Sequence, residues 1–142
     1  TGGEPMIQQA GLREVLEQIP ETHYVEVETN GGFASEIDEF IDHYNCSPKL
    51  KGSGNKSYEL KLKDFSKTWY RFVIDQQEDV EESLAFIKRE GIPRDRVSFS
   101  PQCTSREEQL QKLPWLAELC KDLHIRLSPR LHILLWGNQR GT

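Results

Sequence analysis

The stretch TWYRFVIDQQEDVEESLAFIKREGIPRDRVSFS, residues 68–100, decides the architecture of the chain. Thr68 to Asp75 is dense in aromatic and β-branched residues, which suit a buried strand. Val80, Leu84 and Ile87 then recur at helical spacing, and Gly91 with Pro93 closes that segment. RVSFS runs into Pro101 as a second short strand. A strand, a helix and a strand separated by a few loop residues predict a βα unit in a parallel sheet.

The alternation extends in both directions. Upstream, Ile7, Ala10, Val15, Leu16 and Ile19 follow a rough helical spacing from Met6 to Ile19, and Pro20 stops the helix. HYVEVET, His23 to Thr29, alternates strictly, with Val25 and Val27 on one face, until Asn30-Gly31-Gly32 breaks it. Ile37, Phe40 and Ile41 place a helix over Ser35 to His43, and Tyr44 to Ser47 reads as a short strand stopped by Pro48. Leu50 to Lys67 is polar, lysine-rich and interrupted by glycine, so it is predicted to be a surface excursion. Downstream, Thr104 and Glu107 offer a capping box for a long helix with Leu110, Leu113, Leu116, Leu119 and Leu123, in which Pro114 should kink or split the segment. The last strand is expected near IRLSPRLHILL.

A length of 142 residues suits one domain, 1–142. The net charge of -5 and the absence of a polybasic block argue against direct binding of nucleic acid. No apolar run approaches the ~20 residues of a membrane span, and no signal-type segment is recognisable. Cys46, Cys103 and Cys120 lie far apart, without the close spacing of a zinc knuckle or an iron–sulfur ligand run, which suits a reduced, cytoplasmic protein.

Several strands end in loops of small, polar and turn-forming residues: ETNGG, SPKLKGSGN and SPQC, with TGGEP as a fourth of the kind. In parallel α/β sheets ligands bind beyond the carboxyl ends of the strands, so these loops predict one shared site. Each admits a plainer reading. TGGEP is also a turn that sets Glu4 near a helix N-terminus; as a ligand loop, its glycines let the backbone approach closely while Glu4 takes an ammonium group. Asn30-Gly31 is a common turn pair, and Glu28 suits a solvated surface charge. The Ser47-Pro48-Lys49 run is short enough to arise by chance. His132, within an apolar run, reads by default as a satisfied core histidine, and Cys103 as a small buried side chain.

The order of these segments, TGGEP, ETNG, SPKLKGSGN, SPQC and LSPRLHILLWGNQRG, resembles the later part of a radical S-adenosylmethionine enzyme. SPKLKGSGN with SPRLHILLWGNQRG resembles the 7-carboxy-7-deazaguanine synthases of the queuosine and deazapurine pathway, and the resemblance covers essentially all of the chain. It implies an α/β fold made of the later βα units of a partial (β/α)6 barrel with a parallel sheet. The first strands and the cluster loop are expected upstream of Thr1, because the Cys-x3-Cys-x2-Cys run of the family is nowhere in this sequence. On that reading the chain is a C-terminal portion and is inactive alone.

The resemblance also implies a chemistry and a set of contacts. S-adenosyl-L-methionine, a 4Fe–4S cluster and Mg²⁺ are the family's cofactors, and 6-carboxytetrahydropterin is its substrate, contracted with loss of ammonia. A reductant such as flavodoxin and a homodimeric parent are further implied. Gly2, Gly3 and Glu4 should meet the methionine end of the cofactor, with Glu28, Thr29 and Asn30 lining the adjoining wall. Ser47, Pro48 and Lys49, and Ser100, Pro101, Gln102 and Cys103, should contact its nucleoside and carboxylate ends. Thr1, Arg130 and an inward His132 on the last strand should face the pterin. Family members often carry methionine-proline-glutamate-glycine where this chain has Ser100 to Cys103. Another radical enzyme or activase would share GGEP but lack the closing segment, and a non-catalytic nucleotide-binding α/β module would use the same rim.

Overall fold

The computed structural model describes residues 3–51 and 59–139. It is an α/β protein whose five strands, β1 (Glu26–Thr29), β2 (His43–Cys46), β3 (Thr68–Ile74), β4 (Val97–Pro101) and β5 (Arg126–Leu127), follow one another in sheet order as they do in sequence. The pairings β1 to β2, β2 to β3 and β4 to β5 are parallel. The chain divides into two compact units, Thr1–Tyr70 and Arg71–Thr142, with the boundary inside β3.

In the first unit a 3-10 turn, Pro5–Gln8, runs into helix α1, Gln9–Leu16. The apolar face expected of this helix is not core: Ile7, Val15 and Ile19 are exposed, and Met6 alone is buried from the turn. β1 and β2 align Glu26 with His43 and Thr29 with Cys46. The helix expected over Ser35 to His43 shrinks to a 3-10 turn, Asp38–Phe40. Its backbone is claimed by side chains instead. Gln9 donates to the Ala34 carbonyl (3.0 Å) and accepts from the Glu36 amide (2.7 Å), and Arg13 donates to the Glu36 carbonyl. Such side-chain capture competes directly with helical hydrogen bonding.

The expected surface excursion is core at its end. Leu60 and Leu62 are buried, and the Tyr70 hydroxyl donates to the Leu62 carbonyl at 2.7 Å. The remainder of that excursion, residues 52–58, lies outside the described residues. β3 forms where a buried strand was expected; it buries alternate residues and leaves Val73 exposed.

The second unit follows the sequence reading more closely. Helix α2, Gln77–Glu90, starts where Asp79 accepts from the Asp75 and Gln76 amides, and ends at Gly91 in the left-handed conformation (φ 69°) that glycine adopts without strain. Phe72 meets Phe86 and Phe99 edge-on at centroid distances of 5.8 and 6.3 Å, which fixes α2 and β4 against the strand. Helix α3, Arg106–Leu123, passes through Pro114 without splitting. Its capping box uses Ser105 and Glu108, one residue beyond the expected pair: Ser105 Oγ accepts from the Glu108 amide, and Glu108 accepts from the Thr104 and Ser105 amides. Those hydrogen bonds, led by the Thr104 amide, hold the Glu108 carboxyl below its ordinary range. β5 is only two residues long and is followed by a short helix α4, Leu131–Trp136.

Candidate functional site

In the first unit the loop ahead of Pro5 and the loop after β1 are held together by one carboxylate. Glu4 caps the 3-10 turn through the Met6 amide (3.1 Å) and also accepts from Thr29 Oγ1 and the Asn30 amide, both at 2.7 Å. Thr29 Oγ1 in turn accepts from the Gly31 amide (3.1 Å), and Asn30 Oδ1 from the Gly32 amide (2.8 Å). On the far side, the Gly31 carbonyl accepts from Lys61 and Leu62. The chain therefore enters and leaves residues 29–32 along a fixed path. Gly31 lies at φ 79°, and an added Cβ would come within 2.5 Å of Cys46 Sγ.

Of the residues singled out in this unit, Gly3, Glu4, Thr29 and Asn30 are thus brought to one place. A Cβ added at Gly3 would meet nothing within 4 Å, so the backbone there is open to an incoming group. Ser47 joins them, its amide donating to the Thr29 carbonyl at 2.8 Å. Pro48 is buried, and Lys49 and Glu28 are exposed. Thr1 and Gly2 lie outside the described residues.

The second unit holds the other predicted positions. Ser100, Pro101 and Cys103 are buried at the end of β4, and Gln102 is exposed with its amide on the Ile74 carbonyl (2.8 Å). Arg130 Nη1 donates to the Cys103 carbonyl at 2.8 Å, which joins the exit of β4 to the start of α4. His132 departs from expectation: it is exposed on α4, not inward on a strand. The strand stops because Ser128 makes the last bond to Phe99, and Pro129, next in the chain, has no amide hydrogen to offer.

Sequence reasoning passed over Gln109. It is fully buried on α3, its Oε1 accepting from the Arg130 amide (2.7 Å) and its Nε2 donating to the Arg130 carbonyl (3.1 Å). The signal was readable: positions 109, 113, 116, 120 and 123 form a stripe of alternating four and three, which puts Gln109 and Cys120 on the core side of the helix. The leucines spaced by three, Leu110 among them, drift off that face, and Leu110 is exposed. Lys112, also on α3, donates to Asp75 and to the Gln102 carbonyl.

The three thiols do not suit cluster chemistry. Cys46, Cys103 and Cys120 are all free, buried and on different elements, and among the described residues no three metal-ligating side chains form a group. Burial pushes each thiol above its ordinary pKa. At Cys46 the Glu4 charge adds to that effect while Lys49 opposes it; at Cys103, Arg130 opposes it. The described residues thus offer no set of side chains that fits a 4Fe–4S cluster. No described helix is long and apolar enough to cross a membrane.

No protein-family model matches the chain. It is 39% identical over 145 residues to a protein of Pyrobaculum aerophilum named 7-carboxy-7-deazaguanine synthase, a match covering 99% of this chain and 65% of that protein. Proteins of the same name from Hyperthermus butylicus and Rhodopirellula baltica are 29% and 26% identical, over 95% and 100% of this chain and 63% and 62% of their own lengths. The chain spans a little under two thirds of these curated relatives.

Proposed function

We propose that this chain, homologous over nearly its whole length to 7-carboxy-7-deazaguanine synthases, is the C-terminal portion of such an enzyme and supplies part of its cofactor and substrate sites. The observation that carries the reading is the 39% identity over 99% of the chain. The geometry lends support, because the loop predicted to meet the cofactor is the one that Glu4, Thr29 and Gly31 hold to a fixed path. The enzyme would convert 6-carboxy-5,6,7,8-tetrahydropterin to 7-carboxy-7-deazaguanine by a radical ring contraction with loss of ammonia.

The chain's own part in that reaction is binding and orientation. Bound S-adenosylmethionine would supply the radical. Gly3 offers open backbone to its methionine end, and the Glu4 charge favours the ammonium group there while its oxygens keep Thr29 and Asn30 in place. Ser100 to Cys103 would line the nucleoside and carboxylate side. Arg130 and His132 would face the substrate, Arg130 with the fixed positive charge that suits a carboxylate. We place the ligands of the cluster and of Mg²⁺ outside this chain, within the remaining third of the enzyme, together with the contacts for a reductant and for a second subunit.

Reconstitution with iron and sulfide tests the assignment. The 142 residues alone should give no stoichiometric 4Fe–4S absorption. The full-length protein should give one and should turn over the tetrahydropterin. A stoichiometric cluster on the 142-residue chain would overturn the placement, and a reconstituted full-length protein that makes no 7-carboxy-7-deazaguanine would overturn the function.

A further inference from the structure

The buried amide of Gln109 is costly for α3 to carry. An amide withdrawn from water destabilises the fold unless both its donor and its acceptor find partners, and a leucine at this position of the stripe would avoid that cost. Gln109 finds both partners on a single residue, Arg130, pairing with the amide and the carbonyl of its backbone as a neighbouring strand would. Arg130 is thereby held at both main-chain groups, and its guanidinium is held a third time on the Cys103 carbonyl.

The segment after Arg130 is not self-supporting. α4 is six residues long, and a helix of that length recovers few hydrogen bonds for the cost of nucleating it. Only Ile133 is buried from it, while Leu131, Leu135 and Trp136 are exposed. Its first bonds run from the Ile133 and Leu134 amides to the Arg130 carbonyl, the same oxygen that Gln109 grips. The orientation of His132, two residues along, therefore depends on how Arg130 is set.

We propose that Gln109 is a positioning residue for substrate: a side chain of α3 that sets Arg130 and, through the first turn of α4, His132, without touching the substrate itself. This rests on the reading that Arg130 and His132 face the pterin. Gln109 acts on ground-state binding, because a loosened Arg130 finds its orientation less often but meets the substrate by the same contacts when it does.

The test uses the full-length, cluster-loaded protein with Gln109→Leu and Gln109→Glu. In Gln109→Leu the KM for the tetrahydropterin should rise roughly tenfold or more, the scale of one lost buried hydrogen-bonding pair, while kcat at saturation changes by less than about twofold. Amide exchange over residues 130–136 should quicken by a similar factor while α2 is unaffected. Gln109→Glu guards against a Leu variant that fails to fold. Its protonated carboxyl can donate and accept as the amide does, so its KM should approach that of the parent near pH 6 and worsen near pH 8. An unchanged KM in both variants, or a fall in kcat and thermal midpoint with KM intact, would overturn the proposal and leave Gln109 as scaffold. If the unmodified protein makes no product, the functional reading fails on its own. Exchange over residues 130–136 then still decides: acceleration in Gln109→Leu upholds the clamp on Arg130, and unchanged exchange refutes it.

Discussion

Gly31→Ala puts the path of the candidate cofactor loop under direct strain. Gly31 sits at φ 79°, where an L side chain costs roughly 1–2 kcal/mol. The new Cβ would also lie 2.5 Å from Cys46 Sγ and 2.7 Å from Leu60 Cδ1, both on buried residues, and overpacking of this kind adds roughly 1–3 kcal/mol. The sum, roughly 2–5 kcal/mol, corresponds to a fall in thermal midpoint of roughly 5–20 °C for a chain of this size. Urea unfolding of the parent, Gly31→Ala, Cys46→Ala and the double variant gives the energies. Because Cys46→Ala removes the sulfur that the new methyl strikes, the double variant should be more stable than additivity predicts by about 1 kcal/mol. A loss of less than about 1 kcal/mol in Gly31→Ala, or strict additivity in the double variant, would refute the steric argument.

Glu4→Gln leaves one acceptor oxygen for three donors, so it should destabilise the first unit by roughly 1–3 kcal/mol and expose the Asn30 amide to exchange. Unchanged exchange at Asn30 would remove Glu4 from the support of the loop. Burial raises the pKa of Cys46, Cys103, Cys120 and Tyr44 above their values in an unfolded chain. The unfolded chain therefore releases these protons first, from about pH 8.5 for thiols and about pH 10 for tyrosine. Stability from this source is intact below that range and falls as the pH rises through it. Urea midpoints at about pH 7, 9 and 10.5 check the trend. A flat alkaline limb, or prompt labelling of a thiol in the native protein near neutral pH, would contradict it.

The stretch from Thr68 to Pro101 was legible because its local signals agree: β-branched and aromatic residues where β3 forms, helical spacing over α2, and glycine at the left-handed residue that ends it. Where local and distant interactions compete, the local pattern misled. Ile37, Phe40 and Ile41 have helical spacing, but Gln9 and Arg13 bind that backbone from more than twenty residues away, and no local window contains them. α3 failed in phase more than in kind. A repeat of three residues winds around a helix of 3.6 per turn, so a row of leucines is not one face. The motif loops were recognised as candidate ligand loops, and Gly3, Glu4, Thr29 and Asn30 do meet. That Glu4 also ties one loop to the next was not legible, since a carboxylate beside glycines says nothing of which amides it will reach.

The ties that join one loop of the candidate site to another link residues distant in the chain. Glu4 to Asn30 spans 26 positions and Gln109 to Arg130 spans 21. α2 and α3 draw on neighbours three and four residues away and can begin forming as soon as their own segments collapse. The loops cannot, because each must wait for a long stretch of chain to close before a single hydrogen bond rewards it. The order of assembly is thus written into the spacing of the contacts: scaffold early, site late. Run in reverse, the same order makes these loops the first part of each unit to come apart under mild denaturant, so amide protection at Asn30 and Arg130 should be lost ahead of the helical signal.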